Sequence, residues 1–394
     1  TNCDIITKKN GGFTFDILQD SPLADLSLFQ KNIAALKTNL ISSYKSNTNN
    51  ANISEQVIVS YIAAQAEKGN YSVAIEEIPS NLKKSSQRTY LSAPYFNTLS
   101  DMNELLEKTI SDYESKISAN TNAESLDIFT IHNISNYMAI HSNPKDVKSL
   151  LENTSSKDLT NASISQVSGI LQVYVNLVDL IPSYAKLLEP ILPSCIEKIT
   201  QACSYDNEKL SISENGTFLS VMQAVEIGFT VMRYGIQIND NSLQNAGYVL
   251  VNSYLSENSS FDLRTLANLY PIIAYDNWYY PHLQIINKDS DNTLNLTIDF
   301  PEGYTHYVIL KGLPHFYTIY IYDMAFRTDP RFETYNSSGY VYKQQSETLL
   351  LKSRHKTRKE IIRFDFNEPE NKNTSEKKKE KLNETKTVKT SSEI

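Results

Sequence analysis

The stretch DNWYYPH, residues 276–282, holds the only tryptophan of this 394-residue chain. Before it, apolar residues recur at the spacing of an amphipathic helix, as they do between Leu23 and Tyr44. After it, short runs such as residues 295–300 alternate apolar and polar side chains, which is typical of a β-strand. Pro281 disfavours a helix that continues through the stretch. Residues 276–282 therefore separate a helical body from a strand-rich unit.

The region before this stretch is predicted to be a large all-α domain, residues 20–275, built from helical hairpins. About ten helical segments follow one another there on short loops, and such loops favour antiparallel pairs. Long helices are expected over residues 123–141 and 214–238, and a loop over residues 80–100. The chain lacks the consensus residues of tetratricopeptide and ankyrin repeats. The pairs are expected to stack as an open solenoid or to close into an α/α toroid.

The region after the stretch is predicted to be a small antiparallel β-sandwich, residues 291–366, so the chain is multidomain, α then β. About six strand-sized runs are separated there by turn residues. Residues 276–290 are the predicted aromatic junction between the domains. Residues 1–19 are expected to be irregular, apart from a strand-like run at Phe13–Ile17. Residues 367–394 hold almost no apolar side chains and are expected to be disordered, because they cannot offset the entropy of ordering.

Composition excludes two function classes. The net charge of −8 shows that the whole chain is not built to coat nucleic acid. Glycine is scarce, at 11 residues, whereas nucleotide-binding α/β enzymes use glycine in tight turns and for close approach to phosphates. We therefore expect no nucleotide cofactor, and the sequence gives no reason to expect another cofactor.

The positions of the cysteines indicate in which cellular compartment the protein is expected. Cys195 and Cys203 fall in a predicted helix, where their separation corresponds to a rise of about 12 Å, too far for a disulfide. They are expected to be small buried apolar residues. Cys3 lies near the start of a chain that does not begin with methionine, which is typical of a bacterial lipoprotein after removal of its leader. We expect a lipid anchor at Cys3 and an extracytoplasmic location; another secreted chain and a cytoplasmic protein are the alternatives.

Two groups of residues are candidates for ligand binding. The first group combines aromatic faces with polar partners and would suit a sugar: Asp276, Asn277, Trp278, Tyr279, Tyr280 and His282. Its alternative role is to wedge the helical body against the β-domain. The second is Arg233 with Tyr234, within a long apolar helix, where the arginine would line a central cavity. Its alternative position is the solvent face, with only its aliphatic stem packed.

The run from Lys352 to Lys359 is strongly basic, and residues 301–394 hold 17 Lys and Arg against 13 Asp and Glu. Such a run would touch an anionic lipid or glycan. Alternatively, it is the tip of a β-hairpin, which natural sheets often protect with lysine.

No catalytic motif occurs. The zinc-protease H-E-x-x-H, the G-x-S-x-G elbow, the P-loop and the EF-hand loop are all missing, and the histidines lack the spacing of metal ligands. A glycosidase needs two carboxylates about 5–10 Å apart, and no pair is singled out. The catalytic residues are therefore unknown, and no metal is expected.

The predicted layout resembles that of some polysaccharide lyases and glycoside hydrolases, which join an α/α toroid to a β-domain. No motif of those enzymes matches, so the resemblance assigns no residue. We expect a non-enzymatic extracytoplasmic (lipo)protein that binds an envelope partner protein or a glycan. The alternative is a glycan-active enzyme.

Overall fold

Helices dominate the described chain, and antiparallel sheets follow later in it. The computed structural model describes residues 6–9, 12–15, 26–47, 53–68, 70–77, 95–96, 111–132, 134–140, 145–178, 181–206, 209–256, 259–273, 283–288, 291–299, 302–303, 305–311, 313–328, 338–344, 348–357 and 359–369. Cys3, the whole stretch 276–282 and residues 370–394 lie outside the described residues. The predictions made for them therefore stay predictions.

The described α-helices are α1 (Leu26–Ser46), α2 (Glu55–Glu67), α3 (Tyr71–Glu76), α4 (residues 111–120), α5 (Ile134–Ile140), α6 (Lys145–Ser155), α7 (Ile164–Leu177), α8 (Pro182–Leu188), α9 (Leu192–Ala202), α10 (Val221–Gln237), α11 (Asn241–Tyr254) and α12 (Leu263–Ile273). None of the described helices is both long and apolar enough to span a membrane.

Local side-chain chemistry sets several helix starts. Ser163 and Gln166 form a reciprocal capping box at α7, and Glu214 adds a third contact by accepting the Ile164 N–H at 2.8 Å. Asp240 accepts two backbone N–H groups at the start of α11. Asp262 accepts the Thr265 N–H at 2.7 Å before α12. These caps satisfy N–H groups that a helix start leaves without a partner.

One predicted helix, 214–238, is wrong over its first part. A small antiparallel sheet occupies that region, with strands β4 (Cys203–Asp206), β5 (Lys209–Glu214) and β6 (Thr217–Phe218). Asn215 and Gly216 link β5 to β6 with φ of 49° and 77°, the left-handed pair that a two-residue hairpin turn requires. Helix α10 therefore begins only at Val221, capped by Ser220.

The predicted helix over 123–141 is also interrupted. A 3₁₀ turn at Asp127–Thr130 precedes α5. Gly169 in α7 lies so close to this turn that an added Cβ would be 2.0 Å from the Phe129 carbonyl oxygen. The turn and α7 are thus packed backbone to backbone. Cys195 and Cys203 are both buried, as predicted, although Cys203 begins a strand instead of ending a helix.

The later sheets are a five-stranded one, in the order β11-β10-β14-β8-β7, and a four-stranded one, in the order β12-β13-β9-β3. Their strands are β3 (Tyr95–Phe96), β7 (Leu283–Lys288), β8 (Thr293–Asp299), β9 (Thr305–Lys311), β10 (Thr318–Ile321), β11 (Met324–Phe326), β12 (Gly339–Lys343), β13 (Thr348–Arg354) and β14 (Lys359–Asp365). All neighbours are antiparallel except β3, which pairs in parallel with β9. Residues 80–100, predicted as a loop, thus contain a strand.

The two sheets share one core. Phe316 packs on Tyr342 of the four-stranded sheet, with 5.0 Å between ring centroids, and on Phe364 of the five-stranded sheet, at 5.3 Å. Val341 of β12 packs against the apolar core of the N-terminal helices. The sheet unit is therefore in contact with the helical body through described residues.

Strands β13 and β14 follow one another in sequence but lie in different sheets. The basic run between them is therefore an arch that crosses from sheet to sheet, and the predicted hairpin tip is wrong. At the other end of the chain, β1 (Ile6–Lys9) and β2 (Gly12–Phe15) form a hairpin in the segment predicted to be mostly irregular.

Candidate functional site

Arg233, a predicted ligand candidate, joins α10 to the end of α7. Its Nη1 donates to Asn176 Oδ1 at 2.8 Å, and its Nη2 donates to the Val175 carbonyl oxygen at 3.2 Å. Gln237, one helical turn further on, donates to the same carbonyl through Nε2 at 3.0 Å. Val175 lies in the last turn of α7, near the negative end of the helix dipole. Arg233 therefore caps α7 and complements the negative end of its dipole.

A second polar pair extends the same contact. Glu226 lies two turns before Arg233 on α10, and Gln172 lies one turn before Asn176 on α7. The Gln172 and Glu226 side chains are hydrogen-bonded. We call the five residues Gln172, Asn176, Glu226, Arg233 and Gln237 the α7–α10 polar surface. Four of them are half-buried and Glu226 is exposed, so fixed polar groups reach solvent from two rigid helices.

Glu226 has an unusual environment. Solvent reaches its side chain, yet desolvation by surrounding protein raises the pKa of its carboxyl group, and the hydrogen bond from Gln172 only partly opposes this rise. Glu226 is the one carboxylate of the polar surface, and its side chain is accessible to solvent.

Gln237 leaves an acceptor unused. Its Nε2 must face the Val175 carbonyl, because two oxygens would repel each other there, and this fixes the amide orientation. Its Oε1 is buried and has no hydrogen-bond partner among the described residues. A buried amide oxygen in this condition costs free energy unless water or a ligand donates to it.

Tyr234, the other predicted candidate on α10, is a core residue. It is buried, and its ring meets Tyr174 edge to face at 5.6 Å between centroids. Burial raises the pKa of Tyr234 to about 12, with smaller contributions from Tyr174 and other neighbours. The phenol therefore stays neutral at physiological pH. It supports the helix that carries Arg233 and does not face solvent.

Sequence reasoning missed Gln172, Asn176, Glu226 and Gln237. The signal was present, because each is a polar residue in an apolar helix and each lies one or two helical turns from another polar residue of the surface. What the sequence could not supply was the pairing of α7 with α10. Within the described residues, no three His, Cys, Asp or Glu side chains gather closely enough to hold a metal ion.

The candidates Asp276, Asn277, Trp278, Tyr279, Tyr280 and His282 all lie outside the described residues, so the α7–α10 polar surface is the site that the structure describes. The chain matches no protein-family model and no curated protein.

Proposed function

We propose that this protein is a non-enzymatic binding protein and that the α7–α10 polar surface receives a polar ligand, such as a glycan or a polar segment of a partner protein. The observation that carries the proposal is the solvent-exposed carboxylate of Glu226, which is hydrogen-bonded to Gln172 and lies on the helix that also holds the fixed Arg233 guanidinium. Planar carboxylate, amide and guanidinium groups form the paired hydrogen bonds by which proteins recognise hydroxyls and amides.

Rigidity supports a binding role. The groups project from two helices whose ends are capped and whose contact is fixed by the Arg233 hydrogen bonds. A site on helices holds its groups more precisely than a site on loops, and little conformational freedom is lost on binding. We infer that the helical pairs form an α/α toroid or an open solenoid with this surface on its concave side.

The alternative is a glycan-active enzyme, either a polysaccharide lyase or a glycoside hydrolase. A raised pKa suits the general acid of a glycosidase, and Glu226 has that property. A glycosidase also needs a second carboxylate about 5–10 Å away. The hydrogen bonds of the polar surface involve one carboxylate, so binding without catalysis is the better supported function.

Calorimetric titration of the full chain with a panel of neutral and charged oligosaccharides tests the proposal. A ligand that binds the parent should bind at least about tenfold more weakly to Glu226→Gln and to Asn176→Ala. Glu197→Gln, an exposed carboxylate-to-amide change on α9, is the matched control and should bind normally. Equal binding by all four proteins would refute the assigned site. New reducing ends or unsaturated sugar products, lost in Glu226→Gln, would establish the enzyme instead.

The proposed location is extracytoplasmic, with an anchor at Cys3, and the proposed partners are an envelope protein or glycan and the membrane that holds the anchor. Its support is the sequence around Cys3 alone.

A further inference from the structure

The arch between β13 and β14 is held in place from inside. Glu360 is buried, and its Oε1 accepts the backbone N–H groups of Lys356 and Thr357, the latter at 3.2 Å. The buried His355 ring donates from Nδ1 to the Thr357 carbonyl at 3.1 Å, and Thr357 Oγ1 donates to the Lys359 carbonyl at 2.9 Å. A loop with this many internal bonds keeps its side chains in fixed positions.

Tyr322 braces the same arch from outside. Its hydroxyl contacts Ser338 Oγ at 2.6 Å and also donates to the Arg354 carbonyl. Its ring lies under the Lys356 ammonium, 4.1 Å from Nζ to the centroid. Tyr322 and Asp323, with φ of 55° and 57°, form the two-residue turn of the β10–β11 hairpin.

A second cation–aromatic pair continues this surface along β10. The Arg363 guanidinium lies 4.2 Å from the Tyr320 ring centroid, and the two residues are direct cross-strand partners. Tyr322 lies two residues after Tyr320, in the turn that joins β10 to β11. The two pairs therefore involve neighbouring positions at the end of β10. We call Arg354, Lys356, Lys359 and Arg363 the basic surface.

Three cations of this surface are free of ion pairs within the described part of the chain. Arg354, Lys356 and Arg363 are exposed, and none of the three forms an ion pair with a carboxylate of the described residues. The chain as a whole carries −8, so carboxylates are plentiful elsewhere. Cations that stay unpaired in an acidic protein produce a local positive potential, which attracts a polyanion and orients its approach.

We propose that the basic surface binds an acidic polysaccharide. Cations cover one face of both tyrosine rings, so recognition through stacking on a neutral sugar is disfavoured and recognition through charge is favoured. The bracing of the arch suits a ligand whose carboxylate or sulfate groups have a fixed spacing. A fluid membrane of anionic lipids would not require such bracing, although exposed Ile361, between Lys359 and Arg363, would be compatible with one. The proposal is independent of the α7–α10 polar surface.

The test compares the full chain with a triple variant, Arg354→Ser, Lys356→Ser and Arg363→Ser. The probes are heparin and polygalacturonate, with dextran as a neutral polymer and phosphatidylglycerol vesicles as the membrane arm. The parent should bind at least one acidic polysaccharide, and the triple variant should bind it about tenfold or more weakly. Binding by the parent should also weaken steeply as salt is added.

A charge-matched control separates this surface from net charge. Lys45→Ser, Lys186→Ser and Lys209→Ser remove three exposed cations from helices and from the small sheet, and this variant should bind like the parent. The proposal is wrong if the parent binds neither acidic polysaccharide, if both triple variants lose affinity equally, if binding resists high salt, or if only the vesicles bind. The salt dependence of the parent keeps the test decisive even if the triple variant fails to fold.

Discussion

Ser60 in α2 donates a hydrogen bond to the carbonyl oxygen of Ala267 in α12, with 2.7 Å between the two oxygens. Pro271 lies inside α12 and has no N–H, so it cannot give Ala267 the hydrogen bond that a regular helix would supply. Gln56 adds a second, longer contact of 3.3 Å to the same carbonyl. One helix thus satisfies a backbone group that a proline leaves unpaired in its neighbour, and the contact links the core of the N-terminal helices to α12.

Removing the Ser60 hydroxyl should destabilise the protein. Ser60 is fully buried, and among the described residues Ser60→Ala leaves the Ala267 carbonyl with the weaker Gln56 contact alone. We expect a loss of about 1–2 kcal/mol in the free energy of unfolding, measured by urea denaturation. Ser42→Ala removes an exposed hydroxyl from α1 and should cost less than about 0.5 kcal/mol.

A double-mutant cycle tests the role assigned to Pro271. In a Pro271→Ala background, residue 271 regains an N–H that can bond to the Ala267 carbonyl. Ser60→Ala should then cost clearly less than in the parent, by about 0.5 kcal/mol or more. An unchanged cost would mean that Ser60 acts through packing and not through the carbonyl that Pro271 leaves unpaired.

Signals between neighbouring residues allowed much of the secondary structure to be predicted from the sequence. Pairings between residues far apart in sequence could not be predicted in this way. Ser163 and Asp262 cap their helices through backbone N–H groups three residues away, so capping is a signal that neighbouring residues carry. The hairpin at Asn215 and Gly216 was missed although its turn signal is local, because the apolar residues after it were assigned to one long helix. The pairing of Tyr95 with Ile309 is different, since a two-residue strand carries no periodicity and its partner lies far away in sequence.

The same distinction applies to the site. Arg233 could be singled out from the sequence because a charged residue is unusual in an apolar helix. Its hydrogen-bond partner, the Val175 carbonyl at the end of α7, could not be predicted because it depends on how two helices pack. The switch of β13 and β14 between sheets is equally non-local, and it turns a predicted hairpin tip into an arch.

Close packing of α10 on α11 predicts a glycine requirement. An added Cβ on Gly247 would lie 2.4 Å from the Gly228 carbonyl oxygen and 2.6 Å from the Met232 nitrogen, so backbone would have to move. Gly247→Ala should destabilise the protein by about 2–3 kcal/mol, as overpacked core sites do. Thermal unfolding with a two-state fit measures the change. Gly216→Asn, in open space and at a φ that asparagine tolerates, should change stability by less than about 1 kcal/mol; a larger effect there than at Gly247 would contradict the packing argument.

The proposed anchor at Cys3 makes a prediction that does not depend on the described fold. When the gene is expressed in its native host, the protein should partition into a detergent-rich phase, and Cys3→Ser should move it to the aqueous phase. Cys195→Ser, a change of a buried cysteine, is the control and should partition like the parent. If the Cys3 variant and the parent partition alike, the lipid anchor is wrong.

The raised pKa of Glu226 predicts how pH acts on stability. The folded protein holds the Glu226 proton more tightly than the unfolded chain does. The contribution of this group is therefore fully present below the ordinary glutamate pKa and is lost as pH rises through the folded value. The side chain that Glu226→Gln introduces is neutral at every pH and can still form a hydrogen bond with Gln172. The variant should therefore not lose stability through this group as pH rises. As pH rises from acid to neutral, the thermal midpoint of the variant should therefore increase relative to that of the parent. A parent that gains stability over Glu226→Gln on going to neutral pH would show that the carboxylate is stabilised as an ion and not desolvated.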